Sequence, residues 1–156
     1  MTNGAMLLLA LVLQLVPLIS AQSVHNVSVG VEGSFFSPQT TSAGEGDIIN
    51  FIFGGDIHDV TQSSFQAPCS PLPGGFSSGL MGRGPDFSLP TLMWSMTITN
   101  ASMPIWFFCA ATRPTSHCQE GMVGSINPPS QDQFQQFQNA AKQVSSTPAV
   151  SLSVQQ

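Results

Sequence analysis

Cys109, His117 and Met122 fall in one short stretch, Pro104-Ile-Trp-Phe-Phe-Cys-Ala-Ala-Thr-Arg-Pro-Thr-Ser-His-Cys-Gln-Glu-Gly-Met-Val123. The apolar run Ile105 to Phe108 leads into it and a second run, Val123 to Ile126, leads out, so it reads as strand, loop, strand. A thiolate, an imidazole and a thioether on one loop suit copper. Soft sulfur favours Cu(I), and imidazole serves both oxidation states. A trigonal His2Cys set with a weak axial Met is the arrangement that passes single electrons in blue-copper sites. The loop supplies three of those four ligands, and a second His must come from elsewhere.

His58 fits that need. It follows the break Gly54-Gly55-Asp56 and opens an extended stretch, His58 to Ser63, where a loop-facing ligand belongs. His25 precedes the first strand beside a glycosylation sequon and reads as exposed and idle. Asp56 and Asp59 flank His58 and read as a solvated rim. Cysteine arithmetic agrees: three cysteines, Cys69, Cys109 and Cys118, leave one over. The count closes if Cys109 binds metal and Cys69 pairs with Cys118; an intermolecular bridge is the other reading. A zinc site from His58, Cys109, His117 and Cys118 would leave Met122 idle and ask adjacent residues to close one tetrahedron. Three His in all are too few for the multinuclear centre that oxygen reduction needs. No Ser-His-Asp or paired-carboxylate arrangement stands out, so no enzyme is expected.

The 156 residues suffice for one domain with a core. The net charge is −5, with only Arg83, Arg113 and Lys142 cationic, which argues against nucleic acid. Met6 to Ile19 is almost wholly apolar and ends in Ser20-Ala21-Gln22, a leader-peptide pattern assigned to residues 1–21. The run is short for a membrane span, and Gln14 and Pro17 interrupt it. The expected mature chain is therefore secreted, extracellular or cell-wall associated, and monomeric, without a transmembrane span. Two sequons, at Asn26 and Asn100, would carry glycans.

Seven short strands are expected. Val24 to Val31 alternates, with Val27, Val29 and Val31 on one face. Ser34 to Pro38, Asp47 to Phe53, His58 to Ser63 and Trp94 to Ile98 follow, with the two runs around the loop completing the set. The Pro- and Gly-rich region Gln66 to Leu89 reads as a long irregular loop that Cys69 could tie down, with Phe76, Leu80 and Met81 packing within it. Phe134, Phe137, Ala141 and Val144 recur at helical spacing. The division is a β domain over 22–129, a helix over 130–145 capped by Ser130 or Asp132, and a disordered tail over 146–156. The fold class is an all-β Greek-key sandwich or barrel with a short C-terminal helix.

Five stretches carry a resemblance to a known family: Gly46-Asp47, His58-Asp-Val-Thr-Gln-Ser63, Pro68-Cys69, Ile105-Trp-Phe-Phe-Cys109 and His117-Cys-Gln-Glu-Gly-Met-Val123. Over Val24 to Pro128 the chain resembles the cupredoxins, most closely fungal extracellular cupredoxin-like proteins similar to plant phytocyanins. The resemblance implies a cupredoxin-like fold and one type 1 copper held by His58, Cys109, His117 and Met122. It also implies a Cys69–Cys118 disulfide and one-electron exchange with a redox partner or small reductant. A surface protein that uses the fold as scaffold, with copper stored or unbound, is the alternative. The departure from the phytocyanin pattern is the longer spacing of seven residues between Cys109 and His117.

Overall fold

The computed structural model describes residues 21–31, 35–84 and 88–144. The expected leader, all but Ala21, and the expected tail over 146–156 lie outside these residues. Among the described residues there are eight strands and one helix: β1 Val24–Val29, β2 Phe36–Ser37, β3 Thr40–Thr41, β4 Ile48–Phe53, β5 Thr61–Ser63, β6 Leu92–Thr97, β7 Ile105–Phe108, β8 Val123–Ile126 and α1 Gln131–Gln143. They form two four-stranded mixed sheets, ordered β2-β1-β4-β6 and β3-β8-β7-β5. β3 is the strand not anticipated, because Thr40-Thr41 is too short to show a period.

Alternation builds the first sheet. Ile49, Phe51 and Phe53 of β4 point inward and are fully buried, while Ile48, Asn50 and Ile52 are half-buried on the other face. β1 runs parallel to β4, with Val27 opposite Phe51 and Val29 opposite Phe53. Gly30 then adopts φ +68°, a left-handed conformation that suits glycine, and the strand stops there. Val31, expected to continue the buried face, is exposed instead. Phe107 of β7 joins the sheets by packing edge-on to Phe36 and Phe51 at 5.0 and 5.3 Å. Burying each such ring contributes roughly 2–3 kcal/mol.

The second sheet is covered on both faces. Phe107 enters the core between the sheets, whereas Trp106 and Phe108 join Val123, Phe134, Phe137 and Ala141 in a second cluster beneath α1. That is why β7 is a continuous apolar run instead of an alternating one. Ser130 caps α1 by accepting from the Gln133 amide at 3.1 Å, and Asp132 and Lys142 suit the helix dipole at its two ends.

The region after β5 is irregular but stitched back. The Gln62 amide donates to the Phe76 carbonyl at 2.9 Å, and the Ser78 amide to the Val60 carbonyl at 3.0 Å. Phe76 packs on Trp94, but Leu80 stands exposed to solvent. His25, expected to be idle, stands 3.0 Å from an Asp47 carboxylate oxygen. Asp47 also accepts from the Ser23 and Gly44 amides, and these bonds, His25 first, hold its carboxyl down to about 2. No helix among the described residues is long and apolar enough to cross a membrane.

Candidate metal centre

β7 ends at Phe108, so the next residue, Cys109, points into the core with its thiol fully buried. His58 lies between β4 and β5. Its backbone pairs with that of Met81 through two 2.8 Å hydrogen bonds, which fixes where its ring starts. The Cδ2–Nε2 edge of the ring lies against Gly30, where a Cβ would stand 2.2 Å from both atoms. His117 opens the turn before β8. Its amide donates to the Ala111 carbonyl, and its Nε2 donates to the Arg113 carbonyl, both at 3.0 Å. The seven-residue loop therefore folds over the outer nitrogen of His117, and the ring is buried.

The inner nitrogens converge. His58 Nδ1 and His117 Nδ1 are 3.0 Å apart, and Cys109 Sγ lies 3.7 Å from the first and 3.5 Å from the second. Two imidazole nitrogens and a sulfur so placed make a triangle whose centre is about 2 Å from each corner, a bond length first-row metals make to such donors. These three residues are also the group that meets the geometric requirement for a metal among the described residues. Met122 is fully buried in the same cluster as Cys109. Its amide donates to the His117 carbonyl at 2.9 Å, and its carbonyl accepts from the Cys109 amide at 3.0 Å. The fourth expected ligand is thus tied by backbone to two members of the triangle. The donor set fits a soft transition metal.

Cys118 is not available to such a metal. It forms a disulfide with Cys69, with an S–S length of 2.06 Å and Cα atoms 5.8 Å apart, and Cys109 is the free cysteine. That removes the four-ligand zinc arrangement and leaves the odd thiol in the triangle. Burial pushes the Cys109 thiol up to about 12, opposed in part by amide hydrogen bonds to its sulfur from Asp59 and Ala111. Burial lowers the pKa of His58, and the neighbouring His117 adds to that shift, so the neutral, metal-binding ring is favoured.

Asp59 is the residue that the reading of the sequence misplaced. It is buried, not a solvated rim. Its amide donates to Cys109 Sγ at 3.5 Å, one carboxylate oxygen accepts from the Ala110 amide, and the other accepts from Thr61 Oγ1 at 2.6 Å. Asp59 therefore links the His58 segment to the Cys109 segment. The detectable signal was the alternation Asp59, Thr61, Ser63, three polar residues on one buried face. Asp56 is exposed as expected. Gly30 was missed because its role depends on a ring 28 positions away. The sequon residues Asn26 and Asn100 are both exposed, Asn26 in β1 and Asn100 in the turn before β7.

No family model matches the chain. A protein of Arthroderma benhamiae named GPI-anchored cupredoxin-1 is 34% identical over 113 residues, which is 72% of this chain and 55% of that one. The chain is cupredoxin-like. An extracellular serine-rich protein of the same organism is 31% identical over 118 residues, covering 72% of this chain and 42% of that one. The chain thus spans about half the length of the curated relatives it matches. Among solved structures, pseudoazurin from Hyphomicrobium denitrificans aligns over 78% of this cupredoxin-like chain and 98% of its own, at 16% identity and a TM-score of 0.48.

Proposed function

We propose that this cupredoxin-like domain binds one type 1 copper ion through His58, Cys109, His117 and Met122, and works as a one-electron carrier. The observation that carries the reading is the buried triangle of two Nδ1 atoms and one Sγ at 3.0 to 3.7 Å. Bound copper would supply a centre that cycles between Cu(II) and Cu(I). The chain's own residues do the rest. Cys109 supplies the strong sulfur donor, and the two imidazoles supply donors that suit both states. Burial keeps water away from the triangle. Asp59 directs an N–H at the sulfur and so offsets part of its negative charge. Met122 would add a weak thioether donor to the set.

A carrier is proposed over a catalyst because the expected donors all come from the protein and are buried. Secretion is proposed from the leader pattern over 1–21. An extracellular or cell-surface place agrees with the printed names of the two relatives. The electron partner would be a small reductant or a redox protein reaching the covered edge of His117.

The test is metal analysis and a visible spectrum of the purified protein. One copper per chain and an intense blue colour from thiolate-to-copper charge transfer are expected, with Cys109→Ser colourless but folded. Stoichiometric zinc, or a colourless cupric form, would overturn the proposal.

A further inference from the structure

We infer that α1 is a positioning element for the Met122 end of the site, and that Gln138 does the positioning. The inference rests on the copper reading above. Gln138 is a polar residue in the buried stripe of α1, where an apolar side chain would serve packing alone. A buried amide costs free energy unless it is hydrogen-bonded. Gln138 Nε2 donates to the Gly121 carbonyl at 3.2 Å. That carbonyl and the Met122 N–H belong to one peptide plane. The N–H end donates to the His117 carbonyl at 2.9 Å. The plane is therefore held at both ends, by the helix on one side and by a proposed ligand on the other.

Gly121 is what makes the hold necessary. Its φ is +96°, and glycine has the widest backbone freedom of any residue. The Val123 amide also donates to that carbonyl, at 2.9 Å. Without the Gln138 bond the plane keeps only backbone ties to its own chain neighbours, and its freedom to rotate, carrying the start of the Met122 side chain, rises. Other contacts bring the helix to the same turn. Gln119 Nε2 donates to the Val144 carbonyl at 2.8 Å, and the Lys142 side chain lies across Gly121, its Cε 2.5 Å from where a Cβ would stand. The Cys69 sulfur sits 3.7 Å from the Ala141 carbonyl, so the disulfide rests on the helix as well. Because the axial ligand tunes a type 1 site, a residue that sets the Met122 backbone sets the potential without touching the metal.

The test compares Gln138→Met, which keeps the volume and removes the donor, with Phe134→Leu, which loosens the same helix away from the turn. In the metal-free protein, hydrogen exchange at the Met122 amide should be about tenfold faster in Gln138→Met and unchanged relative to global unfolding in Phe134→Leu. In the copper-loaded protein, Gln138→Met should change the ratio of the thiolate-to-copper absorption bands and shift the reduction potential. Phe134→Leu should do neither. Gln138→Glu, which keeps the shape without the amide donor, replaces Gln138→Met if that variant does not fold. Wild-type exchange and spectra in the Gln138 variant would overturn the inference, as would equal changes in Phe134→Leu. If the wild-type protein takes up no copper, the functional reading fails, while the exchange experiment still decides the role of Gln138.

Discussion

His58 and Cys109 are placed by backbone pairing between strands and segments of the main core, whereas His117 and Met122 ride a six-residue turn held from outside. On the first side, His58 is paired with Met81, and Asp59 joins the His58 and Cys109 segments through its amide and one carboxylate oxygen. On the second side, the ties are the Cys69–Cys118 bond, the Gln138 and Gln119 amides and the Arg113 carbonyl. Regular structure can fix a ligand at a strand end, because the ladder continues past it. A turn carrying two proposed ligands with Gly121 between them has only the Cys109–Met122 backbone bond to continue the β7–β8 pairing, so covalent and side-chain ties add to it. The second cluster under α1 exists on this view to anchor the turn as well as to fill space.

Removing the turn's covalent tie should have the largest effect. Cys69→Ala with Cys118→Ala opens a loop of 49 positions, worth roughly 4 kcal/mol in a chain-entropy account. Thermal unfolding should fall accordingly, and copper should dissociate faster. A double variant as stable as wild type would mean the helix alone holds the turn. On the other side, Asp59→Ala should cost roughly 3 kcal/mol, because the Ala110 amide loses its buried, charged acceptor. Asp59→Asn keeps both shapes, and Thr61 can turn its hydroxyl hydrogen to Ser77 Oγ, 2.9 Å away. Denaturant unfolding should therefore place Asn near wild type and Ala well below it, and equal values would remove Asp59 from its linking role.

Gly30→Ala should cost roughly 2 kcal/mol from its left-handed backbone and should also displace the His58 ring. Copper affinity should drop while the Cys69–Cys118 bond stays intact by mass. Unchanged affinity would show that the ring has room to move. The smallest effect is expected from Asp47, at the end of β4 far from His58. Its folded pKa of about 2 lies below the ordinary 3.8. Stability from it is complete above about pH 4 and is lost as pH falls through about 2. Melting temperatures across that window should decline less steeply in Asp47→Asn. A change in the visible spectrum of Asp47→Asn would break the separation between scaffold and site.

The turn of proposed ligands, His117 to Met122, drew notice because its residue types are rare together and sit between two apolar runs. The disulfide was legible because an odd thiol count allows few assignments. Both sheets were legible as strands, though their parallel pairings, β1 with β4 and β3 with β8, leave no mark on a single strand's pattern. Asp59 and His25 were misjudged for a common reason. A charged residue in an extended stretch is exposed by default, and only the partner on another segment, Ala110 or Asp47, reverses that. Gly30 and Gln138 depend on long-range approach and carry no local sign.

The carbonyl of Arg113 above His117 settles where protons go. A carbonyl can only accept, so the ring hydrogen resides on Nε2 and the lone pair of Nδ1 faces the triangle. His58 is pushed toward its neutral form, while the Cys109 thiol keeps its hydrogen at neutral pH. Taking up the proposed cation would therefore discharge a hydrogen ion from sulfur. Uptake is then coupled to acidity through the thiol, whose hydrogen alone weakens it about tenfold for each unit of acidification near neutrality. A protein met by mildly acid surroundings would hold its metal less tightly for that reason alone, with no change in shape.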